Sequence, residues 1–287
     1  MIYKKNFKKP HKKRNFHGLL SDFSFRVAIS LYGIVFLFWI LGSFINSASP
    51  EEINGDFVLI APGSEFLFGS DQIGRDQFAR LSSAIPFALS MSFSGVLIGT
   101  IIGSILGISA SYIGTWYERI VVIFTNVLLG LPSILLAILV VGVLGTGRLK
   151  TVFAVSLIYI PEFARLGRSL TGRFKNSGFV AASRLMGFGP WWILRVHILK
   201  NVLPSLAVLF AISLSTSLLA ITALSFLGLG VVPPETDLGN MLSLSLEYIS
   251  LAPWLFMGPS IILSILVVAS NFLGDSMSRA LDSHQNA

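Results

Sequence analysis

Residues that commonly carry chemistry are few in this chain and widely spread. The four histidines, His11, His17, His197 and His284, never occur at the H-x-x-x-H spacing that would put two imidazoles on one helix face for zinc. Cysteine is absent, which removes disulfide frameworks, thiolate catalysis and Cys-bound zinc together. None of the glycines falls in the G-x-x-x-x-G-K-[ST] pattern that cradles nucleotide phosphates. Glu162 is the one acid that falls at an apolar segment, and beside Pro161 it reads as interfacial rather than as a proton relay. With no acid pair in an apolar segment, an intramembrane enzyme is a poor reading. No cofactor and no metal are expected.

What remains is chemistry of contact, in two places. The first is Phe68-Gly69-Ser70-Asp71-Gln72-Ile73-Gly74-Arg75-Asp76-Gln77-Phe78-Ala79-Arg80. Ser70 or Asp71 suits the cap of a helix start, and the Arg75 guanidinium can engage neighbouring carboxylates through two parallel bonds. The second is Gly178 to Pro204, which carries Arg184, Arg195 and Lys200 within a stretch from Phe163 to Pro234 that has no acid at all. Val180 to Met186 reads as a short helix, and Gly187 as its C-cap, since glycine takes positive φ without a Cβ clash. Pro190 suits the first turn of a second short helix, where its missing N–H costs nothing. In that helix Trp192, Val196, Leu199 and Leu203 fall on one narrow face, with His197, Lys200 and Asn201 opposite. The expected result is helix, glycine break, helix: a rigid knuckle at a membrane surface.

The elements that must position these residues are membrane spans. Apolar residues make up 53% of the 287 and charged ones 12%, far from an ordinary soluble domain. The net charge of +7 would suit nucleic acid only if the bases lined a soluble face with interleaved aromatics. They sit beside apolar segments instead, so topology explains them and nucleic acid is not an expected partner. Residues 1–24 form a basic tail with Lys4, Lys5, Lys8, Lys9, Lys12, Lys13 and Arg14, which fixes orientation or meets anionic lipid. Residues 25–46 hold the first span, too long for a signal peptide's apolar core although Ser47-Ala48-Ser49 resembles a cleavage site. Residues 47–85 are polar and acidic, the sign of an external loop, with a surface helix. Residues 86–287 are a five-helix core that includes a loop over 166–203.

Within that core the spans are expected from Pro86 to Tyr112, Ile120 to Leu144, Thr151 to about Ala164, Leu203 to Gly228 and Leu255 to Phe272. Gly95, Gly99, Gly103 and Gly107 recur every four residues in the second span, marking a face for close helix packing. Pro132, after Gly130, breaks the third span, and such breaks in lipid are buried or line a cavity. Pro161 and Glu162 close the fourth. The small hydroxyl residues of the fifth bond back along their own helix or line a pore. Six spans with an internal N-terminus leave only Arg75, Arg80, Arg148 and Lys150 of 21 basic residues outside, as the positive-inside rule requires. Both termini are then cytoplasmic.

Three stretches resemble permease subunits of bacterial ATP-binding cassette importers. Ala181-Ala182-Ser183, Arg184, Gly187 and then Ile198-Leu199-Lys200 are similar to the family's E-A-A-x-x-x-G coupling loop with its trailing I-L-P. Ala181 stands where Glu is usual and Lys200 where Pro is common. Gly69, Asp71, Gly74, Arg75 and Asp76 resemble the G-T-D-x-x-G-R-D box of the second permease subunit of peptide importers. Phe226-Leu227-Gly228-Leu229-Gly230 through Pro233-Pro234, Gly239-Asn240-Met241-Leu242, Ala252-Pro253-Trp254 and Asn271 to Asp275 resemble that subunit's ending.

The resemblance implies an all-α integral membrane protein of the type I importer permease fold, six transmembrane helices with a cytoplasmic coupling helix. It would sit in the bacterial cytoplasmic membrane and form a pathway with a second, homologous permease subunit. One or two ATPase subunits would push the knuckle, and an extracytoplasmic solute-binding protein would deliver cargo. Peptides are the implied cargo, with nickel complexes or another small solute as the alternative. An ion-coupled secondary carrier is the competing class, and spans almost bare of charge count against it.

Overall fold

The computed structural model describes residues 22–45, 49–231 and 235–285. Residues 1–21 of the basic tail, Ser47-Ala48 and the Pro233-Pro234 pair lie outside them. Among the described residues the regular structure is helical, apart from one isolated antiparallel bridge between Ser70 and Asp76.

The helices are α1 (Phe23–Ile45), α2 (Gln77–Ile113), α3 (Thr115–Leu129), α4 (Ser133–Leu144), α5 (Arg148–Lys175), α6 (Gly178–Leu185), α7 (Pro190–Ile193), α8 (Lys200–Phe226), α9 (Leu238–Ser245) and α10 (Trp254–Gln285). A π-helical turn, Leu194–Leu199, joins α7 to α8, so Pro190–Phe226 runs as one apolar rod of 37 residues. By length and composition α1, α2, this rod and α10 can each cross a membrane. The α3–α4 pair, bent by 93° at Gly130 to Pro132, has the length and composition of a fifth crossing only when its two helices are taken together as one broken span.

The remaining expected crossing is α5. At 28 residues it is about 42 Å long, and Arg148, Lys150, Glu162, Arg165, Arg168, Arg173 and Lys175 make it more charged than the apolar helices. Pro161 and Glu162 do not close it, as the sequence suggested: Pro161 lies inside the helix, and Glu162 falls near its middle. Packing overrides the helix-breaking tendency, because buried neighbours on both sides of the proline hold the rod together.

Two other expected boundaries also move. Pro86 does not start the second span but sits inside α2, which begins at Gln77 with the Asp76 carboxylate capping the Phe78 N–H at 2.8 Å. The surface helix expected within 47–85 is therefore the first turns of α2. Ser70 and Asp71 do not cap it; they lie in the turn before it.

The core is organised by the α2–α5 pair, the most extensive helix interface. Gly95, Gly99, Gly103 and Gly107 are all buried and face α5. A Cβ on Gly99 would stand 2.6 Å from Tyr159 Cβ, and one on Gly103 2.9 Å from Phe163 Cβ. At Gly107 it would overlap the backbone of Ala164 itself. Without side chains on this stripe the two backbones approach closely enough for dispersion contact along four turns. Met91, Val96, Val155, Phe163, Leu206 and Leu224 fill the centre.

The chain alternates between two ends of this bundle. One end carries α6, α7 and the pairing of Arg279, in α10, with Asp22 before α1. The other carries residues 49–76 and α9.

Candidate functional site

At the first end, residues 176–202 build the knuckle. Helix α6 ends in a Schellman motif: Gly187 N–H donates to Arg184 O at 3.0 Å and Phe188 N–H to Ser183 O at 3.2 Å. Gly187 has φ +83°, the conformation this motif requires of its C′ residue. Gly189 precedes α7 and Pro190 is its first residue. Phe188 and Trp192 stack across the turn with centroids 4.0 Å apart.

Inside the knuckle, Ser183 Oγ donates to Phe179 O at 2.9 Å and lies 3.0 Å from His197 Nε2. A hydroxyl has one proton, so with that proton on Phe179 O the imidazole donates from Nε2–H. His197 thus ties the π-helical turn to α6. One bond anchors the knuckle itself to α2, and two more from the last residue of α5 hold the helix that leads into it. Tyr112 Oη donates to Pro190 O at 2.7 Å. Lys175 Nζ donates to Ser111 O at 3.1 Å and Tyr112 O at 3.0 Å, meeting the unpaired carbonyls at the end of α2.

The face that packs inward differs from the one expected. Ile193, Ile198 and Val202 are fully buried, whereas Trp192, Val196 and Leu203 are exposed and Leu199 is half-buried. Ile193 and Ile198 are five apart, a spacing that a π turn accommodates and a 3.6-residue periodicity misses. Ser183 and Ile198 are therefore internal supports. Ala181, Ala182, Arg184 and Gly187 lie on the surface. Beside them stands an exposed apolar edge with Leu185 at 91%, Trp191 at 81% and Met186 at 67% exposure.

At the other end the stretch from Gly69 to Arg80 folds into a self-contained lock. Asp71 is buried and accepts from Ile73 N–H at 3.0 Å and Arg75 N–H at 2.9 Å on one oxygen. Its other oxygen takes Arg75 Nε at 2.7 Å and Arg80 Nη1. Gly74, at φ +79°, passes so close to Asn54 that any Cβ would collide with its carbonyl. Gln77 Nε2 donates to Leu255 O at 3.2 Å, and Trp254 Nε1 reaches Ser70 O at 3.5 Å, fastening the lock to α10. Asp237 caps α9 through Gly239 and Asn240 N–H. Burial raises its carboxyl above the usual range, against the two amides and the attraction of Arg80.

The family description "binding-protein-dependent transport system inner membrane component" matches residues 95–286. The chain belongs to this family. As such it is a multi-pass membrane component of an ATP-binding cassette importer, a transport subunit and not an enzyme, with ATP hydrolysed on a separate subunit. It is 38% identical over 221 residues to the glutathione transport system permease protein GsiD of Pectobacterium atrosepticum, covering 77% of this chain and 73% of that one. It is 33% identical over 264 residues to the di/tripeptide transport system permease protein DppC of Pseudomonas aeruginosa, covering 88% and 87%. In fold, this importer permease is similar to a chain of the inward-facing MetNI methionine ABC transporter, with TM-score 0.59 at 23% identity. The match covers 70% of this chain and 95% of that one. That likeness gives it the type I importer permease fold.

Sequence reasoning missed two residues of these sites, Tyr112 and Lys175, and read Trp254 only as part of the closing pattern. Each bonds to backbone carbonyls far along the chain. For Lys175 alone, the unpaired carbonyls that any helix end leaves pointed to the need for such a donor.

Proposed function

We propose that this permease forms half of a peptide-import pathway and that its knuckle receives the stroke of the ATPase. The observation that carries the reading is the knuckle's construction. An exposed apolar edge, Leu185, Met186 and Trp191, is held on a frame braced internally by Ser183 and His197 and bonded to the bundle through Tyr112 and Pro190. Contiguous exposed apolar side chains mark a docking surface. Arg184 and Arg195 flank this one and would set its orientation against an acidic partner groove. A push there passes through Pro190 and Tyr112 to α2, and through the rod Pro190–Phe226 to the far end of the bundle. The knuckle end is then cytoplasmic and the Asp71 lock external, near the solute-binding protein. The basic asymmetry of the sequence supports that orientation. A second, homologous permease would complete the pathway.

Peptide cargo is supported by the relatives, which are glutathione and di/tripeptide transport permeases. The test is reconstitution of the intact complex. Solute-binding protein loaded with a dipeptide should stimulate ATP hydrolysis and uptake together, and Leu185→Glu should abolish copurification of the ATPase. Retention of the ATPase by Leu185→Glu would remove the knuckle from the interface. Failure of every small peptide to stimulate would remove the substrate assignment.

A further inference from the structure

A cleft of about 470 Å³ opens between α4, α5 and α8, lined by Ser133, Ile158, Tyr159, Glu162, Ser213 and Thr216 among others. Its volume lies in the range of small-molecule sites. The wall is apolar on the sides of Ile134, Leu209, Ile212 and Leu219. Across it, Tyr159 Oη and Thr216 Oγ1 are paired at 3.0 Å. Glu162 is half-buried and has no hydrogen bond or ion pair among the described residues; Arg165, the base whose field reaches it, is exposed. Glu162 stands near the middle of α5, about 20 Å from either helix end. An ionisable group at that depth is costly to keep without a partner and marks a transport or binding role.

We propose that Glu162 is a binding carboxylate for a cationic cargo group, an alkylammonium such as the free amino end of a short peptide. Its carboxylate meets the ammonium, the hydroxyls of Thr216 and Ser133 accept further N–H bonds, and the apolar wall takes the rest of the cargo. A divalent metal fits less well. It needs several hard ligands, and no group of three or more His, Cys, Asp or Glu occurs among the described residues. The identity of the cargo rests on the peptide reading above; the charge preference of the cleft does not.

The experiment therefore has two arms, both on the intact importer complex. In the first, Leu219→Cys places a thiol on the cleft wall of a chain that has no cysteine of its own. It is reacted with a trimethylammonium and with a sulfonate methanethiosulfonate, and the complex without this cysteine sets the background. The cationic reagent should react faster. Glu162→Gln should lower the cation-to-anion rate ratio about tenfold, as removal of one nearby charge in a partly dry site requires, and Glu162→Asp should keep most of it. A ratio unchanged by Glu162→Gln overturns the proposal. In the second arm, uptake of alanyl-alanine is followed in proteoliposomes with the binding protein. Glu162→Gln should raise the KM or lower the uptake rate at least fivefold, with Glu162→Asp rescuing in part. Uptake unchanged in Glu162→Gln overturns the proposal as well. If the wild-type complex imports no dipeptide while the reagent ratio behaves as expected, the ammonium site stands and the peptide assignment falls.

Discussion

Asp71 and Arg80, nine positions apart, form an ion pair whose side chains are 2% and 5% exposed. The same carboxylate oxygen also accepts from Arg75 Nε at 2.7 Å, so one buried acid is shared by two bases and joins the turn to the helix that follows. Arg80 Nε and Asp237 Oδ2 are left without partners in that surround, which makes the balance of charge sensitive to any loss.

Asp71→Asn should accordingly destabilise the protein by about 3 kcal/mol or more, because it strands a buried guanidinium. Replacing Arg80 by Met in the same chain should recover part of that loss. Thermal unfolding in detergent, followed by size-exclusion fluorescence, checks both. A single Asp71→Asn variant as stable as wild type would show that water already shares the charge.

Gly187 and Gly74 separate two kinds of glycine requirement. A Cβ at Gly187 meets nothing within 4 Å, so Gly187→Val carries only the left-handed backbone strain of about 1–2 kcal/mol. It should insert and fold, yet lose coupled uptake because the Schellman turn opens. Ala181→Glu, on the exposed face of α6, should be tolerated unless the partner groove has adapted to alanine. Gly74→Ala combines that strain with collision against Asn54 and should greatly reduce the yield of folded protein. Normal coupled uptake by Gly187→Val would reduce the knuckle to a linker.

The α2–α5 contact makes a sharper contrast. Gly107→Ala forces backbone apart at Ala164, whereas Gly142→Ala points into open space. The first should cost about 1–3 kcal/mol in overpacking and the second should be neutral or slightly stabilising, since alanine favours helix. Melting temperatures of the two purified variants decide it.

Orientation is open to labelling because the chain has no cysteine. Cysteines replacing Ser64 and Thr236 should react with an impermeant maleimide added to intact cells, and one replacing Ser177 should not. External labelling at Ser177 would invert the proposed topology.

Asp22 reports on the join between α1 and α10. Bonds from Arg279, reinforced by the N–H groups of Ser24 and Phe25, hold its carboxyl below the usual aspartate range. A lowered folded-state pKa means the contribution is complete above the unfolded-state value and is lost as pH falls through the folded-state one. Wild type should therefore lose stability on acidification slightly more steeply than Arg279→Gln, and the two should converge at the acid end. Because the pair is exposed, the difference should be small and shrink with salt.

Much of this was written in local pattern. Membrane class, the positions of α1 and α8, the start of α10, the break at Pro132 and the cap at Gly187 follow from apolar runs and from backbone rules that act over one or two turns. The spacing of Gly95, Gly99, Gly103 and Gly107 marked a face in the same way. What it packs against was decided only in three dimensions, since nothing in the sequence pairs that face with α5 rather than with another span. Pro161 and Glu162 looked like the end of a span because proline breaks isolated helices; surrounding helices hold this one intact and leave Glu162 in mid-bundle. The inward face of the knuckle was misread because a π turn adds a residue between Ile193 and Ile198, and no sequence periodicity carries that shift. Asp71 was expected to cap a helix, but its role as a shared acceptor for Arg75 and Arg80 depends on a fold of the chain that brings Asn54 over Gly74 and Trp254 over Ser70. Local propensity has a range of a few residues, and each of these outcomes was settled by contacts many times that distance apart in sequence.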